Sequence, residues 1–134
     1  MRRAEKEQRR AAKLTSALTN LIVIVTGSSS GIGAATARAF ARHGAHVILA
    51  ARRAEELAVQ VQTITSEGHN ALAIPTDITV AEQVSQLVEQ TIEQFGHVDV
   101  LVNNAGIGRL RPFFKFQKNT STRSLMSICA GPCL

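Results

Sequence analysis

Between residues 21 and 103, short unbroken apolar runs alternate with stretches in which apolar residues recur at helical spacing. This pattern predicts alternating strands and helices. Residues 21–26 (LIVIVT) form an unbroken apolar run rich in β-branched residues, which is typical of a strand buried on both faces of a sheet. Between such runs, apolar residues recur at the spacing of a helix that covers one face of a sheet. The predicted strands are residues 21–26, 46–50, 71–75 and 99–103, and the predicted helices are residues 32–43, 53–67 and 80–95.

The resulting order, βαβαβαβ, predicts an α/β fold. Helices placed between short buried strands indicate parallel strand pairing with right-handed crossovers. This arrangement is one half of a doubly wound, Rossmann-type parallel sheet, so the predicted sheet is incomplete. Its predicted spatial strand order is 3-2-1-4. In such a sheet the ligand crevice lies at the carboxyl ends of the strands where the order reverses, which here are strands 1 and 4.

Charge divides the chain into a basic N-terminal extension (residues 1–18), a folded body (residues 19–113) and an aberrant tail (residues 114–134). The net charge of the chain is +5, yet residues 14–108 carry four arginines against eight acids, a net charge of −4. Residues 1–13 carry net +4 and residues 109–134 carry net +5. Because a nucleic-acid-binding domain carries its basic residues on folded elements, we expect no nucleic-acid partner.

The basic extension lacks the apolar region of a secretory signal, and no apolar run in the chain approaches the ~18 residues of a membrane span. We therefore expect a cytoplasmic protein without a membrane partner. Glu5 and Arg9 are spaced as in a solvated helix, but we interpret the extension as a disordered or fraying segment. A nucleic-acid-binding arm and a start site placed too far upstream are the alternatives. Cys129 and Cys133 lack a matching ligand pair, so no metal site is expected.

A glycine-rich loop, TGSSSGIG, joins the first predicted strand to the first predicted helix. Its glycines permit positive φ angles and allow a pyrophosphate to approach the backbone, while the helix N-terminus offers free N–H groups. Gly33 allows the helix to pack closely on the strand, and a simple tight turn is the alternative interpretation of the loop. The candidate cofactor-binding residues in this loop are Gly27, Ser29, Ser30, Gly31, Ile32 and Gly33.

The ends of the other three strands supply the remaining candidate residues. After strand 2, the acid that would bind a ribose 2′-hydroxyl is absent, and Arg52 and Arg53 follow instead. A guanidinium suits a 2′-phosphate, so NADP is favoured over NAD, although Arg53 taken alone is interpreted as a solvated first-turn residue. Asp77 and Ile78 suit an adenine edge, with a turn or cap aspartate as the alternative. Asn103, Asn104, Ala105 and Gly106 either line a cofactor or brace the strands.

Together these residues resemble the short-chain dehydrogenase/reductase family. TGSSSGIG is similar to the family's TGxxxGxG cofactor loop, Asp77-Ile78 to its adenine-binding pair, and NNAG stands unchanged after strand 4. The resemblance covers about residues 20–113, and Arg52 and Arg53 are similar to those of its NADP-preferring members. It implies a dinucleotide-binding body and an oxidoreductase that transfers a hydride between a nicotinamide and a carbonyl or alcohol. Ser30 stands where many NADP-preferring members carry a basic residue.

The family's catalytic serine and its Tyr-x-x-x-Lys motif have no counterpart here, since the chain contains no tyrosine. We therefore assign no catalytic residue and expect the chain to be inactive alone, with a non-catalytic nucleotide-binding fragment or remnant as the alternative. We also considered a shifted reading frame that starts at the third base of the codon for Lys115. With free choice of the degenerate bases, this frame can encode IPEEYFDKVFDVNLRGPLF. That string resembles the family's next helix, so we favour a frameshift over natural divergence. The family's oligomer interface is then expected to be missing.

Overall fold

A computed structural model describes residues 2–106 of the chain. The predicted boundary at residue 113 and the frameshift hypothesis for the tail lie outside the described residues. The elements are α1 (Arg2–Leu18), β1 (Ile22–Thr26), α2 (Gly31–Arg42), β2 (His46–Ala51), α3 (Ala54–Ser66), β3 (Asn70–Pro75), α4 (Ala81–Phe95) and β4 (Val100–Val102).

The four strands form one parallel sheet in the order β3-β2-β1-β4, which confirms the predicted topology. Strand β1 lies between β2 and β4, with Val25 in register with Leu49 on one side and with Val102 on the other. Because all four strands run in the same direction, their carboxyl ends and the loops that follow them meet at one edge of the sheet.

Both faces of the sheet are covered, which explains why β1 is apolar without alternation. Val23 and Val25 point into a core that helices α2 and α3 complete, with Ala37, Leu57 and Ile64 among its buried members. Ile22 and Ile24 point into a second core on the opposite face, together with Ile48, Ile74 and Leu87 of α4. Every residue of β1 is buried, as the continuous hydrophobic run predicts.

Asp99 fixes the start of β4 against β1. Its carboxylate accepts the backbone N–H of Ile22 at 2.7 Å, and its own N–H donates to the Ile22 carbonyl at 2.9 Å. The His97 ring nitrogen Nε2 lies 3.0 Å from the same carboxylate. These contacts set the register of the short edge strand, whose carboxyl end carries the asparagine pair.

The N-terminal extension is helical in the structure, as α1, rather than disordered or fraying. Its alanines and its Lys, Arg, Glu and Gln residues are good helix formers, and Arg3 pairs with Glu7 one turn later at 3.4 Å. None of the residues of α1 is buried. A contact between Thr15 Oγ1 and His43 Nδ1, 3.1 Å apart, joins the end of this helix to the end of α2.

The apolar face predicted for α4 is only partly covered. Leu87 is buried against the sheet, whereas Val88 is 39% exposed and Ile92 is 47% exposed. Leu101 of β4 is 46% exposed and pairs in register with Ile24, so it lies on the side of the sheet that faces α4. The described residues therefore leave an apolar surface of Val88, Ile92 and Leu101 open on this side. Within residues 2–106, no helix is long and apolar enough to cross a membrane.

Candidate functional site

A cleft of about 300 Å³ lies at the carboxyl ends of the four strands. This volume is at the lower end of the roughly 300–1,000 Å³ that is usual for small-molecule sites. The loops after β1, β2, β3 and β4 each contribute to its wall, so the cleft occupies the place where a doubly wound sheet binds its ligand. The lining residues are Gly27, Ser29, Ser30, Ala50, Ala51, Arg52, Arg53, Thr76, Asp77, Ile78, Thr79, Asn104, Ala105 and Gly106.

The glycine-rich loop is held so tightly against the β4 loop that two of its positions have no room for a side chain. Gly27 has a φ of +64°, and a Cβ there would lie 2.8 Å from the Cα of Ala105. A Cβ on Gly33 would lie 2.2 Å from the Gly27 carbonyl oxygen and 2.5 Å from Asn104 Nδ2. The close packing predicted for Gly33 is therefore present, and this glycine lies beneath the loop rather than in the cleft.

The hydroxyl of Thr26, at the end of β1, ties the glycine-rich loop to the asparagine loop. It accepts the backbone N–H groups of Asn104 and Ala105, each at 3.1 Å, and donates to the Val102 carbonyl at 3.3 Å. The Asn104 side chain adds a bond from Nδ2 to the Gly27 carbonyl at 3.2 Å. Asn104 thus braces the strands and lines the cleft at once, so both interpretations of the asparagine loop apply to it.

Helix α2 begins at the edge of the cleft, which its N-cap residue Ser30 lines. Its N-cap, Ser30, has extended backbone angles (φ −159°, ψ 174°), and its side chain makes no capping bond to the helix. The N–H groups of the first turn of a helix have no intrahelical acceptor, and the helix dipole places a partial positive charge there. The first turn contains no acidic residue that would occupy this position.

Two arginines follow β2 and lie on the rim of the cleft. Arg53 donates from Nη2 to the hydroxyls of Ser29 and Ser30, each at 3.4 Å, and its Nη1 pairs with Glu56 at 2.6 Å. Arg52 lies close enough to Asp77 for its positive charge to contribute to lowering the pKa of that carboxyl. The rim therefore combines two guanidinium groups with two serine hydroxyls.

Asp77 forms a tight turn after β3. Its Oδ1 accepts the Thr79 hydroxyl at 2.7 Å and the Thr79 backbone N–H at 2.9 Å, and these two bonds are the main reason why its pKa is lowered. The Asp77 backbone N–H donates to Gln83 Oε1 at 2.7 Å, which fixes the turn to α4. The turn interpretation of Asp77 therefore applies, and the residue also lines the cleft.

Most of the predicted site residues line the cleft. Gly31, Ile32, Gly33 and Asn103 do not: Ile32 is 53% exposed, and Gly33 is buried behind the loop. The prediction missed Thr76 and Thr79, which line the cleft because they follow β3, whereas Ala50 and Ala51 line it at the strand end that the prediction had singled out. Their strand-end positions were the available signal.

Gln60 of α3 was also missed, and its Nε2 lies 3.5 Å from the Ser29 carbonyl. The described residues contain no group of three or more His, Cys, Asp or Glu side chains suited to a metal ion.

Comparison with known proteins finds relatives that are similar in sequence and in fold. The uncharacterized oxidoreductase Lmo0432 of Listeria monocytogenes is 48% identical over 90 residues, which are 67% of this chain and 36% of that protein. The L-sorbose reductase from Gluconobacter frateurii, solved with NADPH and L-sorbose, is 35% identical with a TM-score of 0.67. The match covers 75% of this chain and 39% of the reductase.

A metagenomic short-chain oxidoreductase in complex with NADP is 33% identical, also with a TM-score of 0.67, over 76% of this chain and 47% of that one. This chain therefore spans less than half the length of each of these three proteins. The family model described as short chain dehydrogenase matches residues 21–131. Because that match extends over most of the sequence and agrees with the fold, the chain belongs to the short-chain dehydrogenase family.

Proposed function

We propose that residues 19–113 are the cofactor-binding half of an NADP(H)-dependent oxidoreductase of this family. The observation that carries the proposal is the rim of the cleft, where Arg52 and Arg53 follow β2 and no acid stands at the strand end. An acid at that place favours a free 2′-hydroxyl, whereas guanidinium groups favour a 2′-phosphate. NADPH and NADP in the two solved relatives support a phosphorylated dinucleotide.

The residues of the cleft fit such a cofactor. Arg52 and Arg53 would hold the 2′-phosphate, and Asp77 and Ile78 would bound the adenine. The pyrophosphate would lie against the glycine-rich loop at the N-terminus of α2, where Gly27, Ser29 and the N-cap Ser30 line the cleft, and the missing Cβ of Gly27 leaves the loop backbone open to it. When bound, the cofactor supplies a hydride donor or acceptor. The chain's own residues bind and orient it.

For the 134-residue chain by itself we propose cofactor binding without turnover. The family's acid/base tyrosine has no counterpart, because the sequence contains no tyrosine. A non-catalytic nucleotide-binding fragment is therefore the second candidate, and it shares the cleft with the first. For the whole protein we propose a carbonyl or an alcohol as the substrate class.

Titration of the full chain with NADPH and with NADH tests the proposal. The chain contains no tryptophan, so the fluorescence of the reduced nicotinamide itself reports binding without interference. We expect Arg52→Ala to weaken NADPH binding by roughly 10- to 100-fold, since a hydrogen bond to a charged group is worth about 1.5–3 kcal/mol, and to leave NADH binding unchanged.

Arg42→Ala is the matched control, because it removes the same single positive charge. Arg42 pairs with Glu67 at 3.1 Å and does not line the cleft. Equal weakening by both variants would show a general charge effect and contradict the proposed site. Absence of NADPH binding to the wild-type chain would contradict the function as a whole. Oxidation of NADPH by the purified chain with a carbonyl substrate would refute the proposal that the chain alone does not turn over.

A further inference from the structure

The guanidinium group of Arg53 is already engaged by an acid of its own chain. Glu56 Oε1 lies 2.6 Å from Arg53 Nη1, which is short for an ion pair between nitrogen and oxygen. Among the described residues, the other terminal nitrogen, Nη2, makes only two long contacts, each 3.4 Å, to the hydroxyls of Ser29 and Ser30. The strong partner of Arg53 is therefore a carboxylate, and the weak partners are the residues of the glycine-rich loop.

The start of α3 explains this geometry. Arg53 is the N-cap of α3, and Glu56 stands three residues later, on the same side of the first turn. Gln60 follows one turn further along and approaches the Ser29 carbonyl. One face of α3 therefore rests on the glycine-rich loop, and Glu56 lies next to the cleft without lining it.

A 2′-phosphate at Arg53 would share that guanidinium with Glu56. The phosphate and the Glu56 carboxylate are both anions that accept hydrogen bonds from the N–H groups of Arg53. Two negative charges around one guanidinium also repel each other. The Arg53 and Glu56 side chains are 61% and 40% exposed, so solvent screens the pair and either anion can exchange. The two contacts from Arg53 Nη2 to the serine hydroxyls are long, so an incoming phosphate can replace them as the acceptor.

We propose that Glu56 is a specificity-determining residue whose carboxylate competes with the cofactor 2′-phosphate for Arg53. The competition lowers the affinity of the cleft for NADPH and leaves its affinity for NADH unchanged, because NADH brings no phosphate to this position. Glu56 thereby sets how strongly the cleft discriminates between the two dinucleotides. This inference rests on the proposed function, since it requires NADPH to bind at Arg53.

The experiment compares the dissociation constants of NADPH and NADH for the full chain with those for Glu56→Gln. Since exposed ion pairs are worth roughly 0.2–1 kcal/mol, we expect Glu56→Gln to bind NADPH about 1.5- to 5-fold more tightly and NADH equally well. Glu55→Gln is the matched control: it stands in the same first turn and removes the same charge near the same helix end. It is expected to leave the ratio of the two constants at the wild-type value.

Repeating Glu56→Gln in an Arg53→Met background isolates the pair, because the gain in NADPH affinity is expected to disappear when Arg53 is absent. Glu56→Ala is a second variant with the same expected direction, and circular dichroism checks that each variant is folded. Weaker NADPH binding in Glu56→Gln would overturn the inference and show that Glu56 positions Arg53 for the phosphate. An unchanged ratio, or an equal change in Glu55→Gln, would also overturn it. Failure of the wild-type chain to bind NADPH would instead refute the proposed function, so the two failures are distinguishable.

Discussion

The Thr26 hydroxyl accepts the backbone N–H of Asn104 at 3.1 Å, across 78 residues of sequence. It also accepts the N–H of Ala105 at 3.1 Å. One side-chain oxygen at the end of β1 therefore fixes the loop that follows β4, and it sets the distance between the two loops that form the inner wall of the cleft. Thr26 itself is buried.

Replacing Thr26 tests this connection. Thr26→Val keeps the shape of the side chain but removes the acceptor of the Ala105 N–H and one of the two acceptors of the Asn104 N–H, which also donates to the Val102 carbonyl at 3.1 Å. We therefore expect a loss of about 1–3 kcal/mol in the free energy of unfolding. Urea denaturation measures the loss, and hydrogen exchange at Asn104 and Ala105 measures the loosening of the loop. Thr26→Ser retains the hydroxyl and is the control. If Thr26→Val matched wild type in both measurements, the bonds would have no structural role.

Gly33 gives a second prediction, about space rather than hydrogen bonding. Because a Cβ at this position would lie 2.2 Å from the Gly27 carbonyl oxygen, Gly33→Ala must push the glycine-rich loop away from α2. We expect a loss of stability of about 1–3 kcal/mol together with the loss of nucleotide binding. Thermal unfolding and NADPH titration measure the two effects.

Gly106→Ala is the stability control for Gly33→Ala, since a Cβ on Gly106 meets nothing within 4 Å. It is expected to unfold at nearly the wild-type temperature. A Gly33→Ala protein as stable as Gly106→Ala would mean that the loop and helix are not in the contact described.

Acid stability depends on Asp77. The hydrogen bonds from Thr79 lower the pKa of Asp77 in the folded chain, so the unfolded state takes up this proton first as the pH falls. The stabilisation is complete above the unfolded pKa of about 3.9 and is lost as the pH falls through the lower folded value. We therefore expect Asp77→Asn to reduce the fall in unfolding free energy between pH 5 and pH 3, measured by urea denaturation at each pH.

Only part of the acid dependence is expected to vanish in Asp77→Asn. Hydrogen bonding to Arg42 lowers the pKa of Glu67 in the same direction, and that carboxylate remains in the variant. Glu93→Gln, which removes an exposed carboxylate of α4, is the control for a simple change in net charge. An acid dependence of Asp77→Asn identical to that of wild type would contradict the assigned bonds.

The exposed apolar surface of Val88, Ile92 and Leu101 predicts self-association. Leu101 lies on an edge strand of the described sheet, where an uncovered apolar side chain favours contact with other molecules. We expect Leu101→Glu to reduce the concentration-dependent growth in particle size measured by dynamic light scattering. Val59→Glu, on the exposed side of α3, is the control. Equal behaviour of the two variants would show that this surface does not drive association.

The sheet and the glycine-rich loop could be predicted from sequence because local pattern determines them. The apolar run of β1, the helical spacing after it and the glycines between them all lie within about 20 residues. Strand order 3-2-1-4 then followed from the doubly wound arrangement that such βαβ units form. The arginines after β2 were identified for the same reason, since their place in the cleft follows from a strand end.

Contacts between distant segments could not be predicted in this way. The bonds of Thr26 to the asparagine loop and the approach of Gln60 to Ser29 depend on how strands and helices pack. Thr26 belongs to the TGSSSGIG motif, but the motif does not reveal its bonding partners, and Gln60 belongs to no motif. The spacing of Arg53 and Glu56 allows an ion pair, but only the packing of α3 on the loop places that pair beside the cleft. Helix α1 was interpreted as disordered or fraying, despite the helical spacing of Glu5 and Arg9, because its sequence has no apolar face that would bury it against the body, and none of its residues is buried in the structure.

The most direct test of the proposed phosphate site uses only the adenosine end of the cofactor, since the residues proposed to bind it lie within residues 2–106. Isothermal titration of the full chain compares 2′,5′-ADP with 5′-AMP, which differ in the 2′-phosphate alone. Charge-assisted hydrogen bonds to Arg52 and Arg53 predict that 2′,5′-ADP binds about tenfold more tightly or better. Equal affinity for the two nucleotides, or binding of neither, would contradict a cleft built for a 2′-phosphorylated dinucleotide.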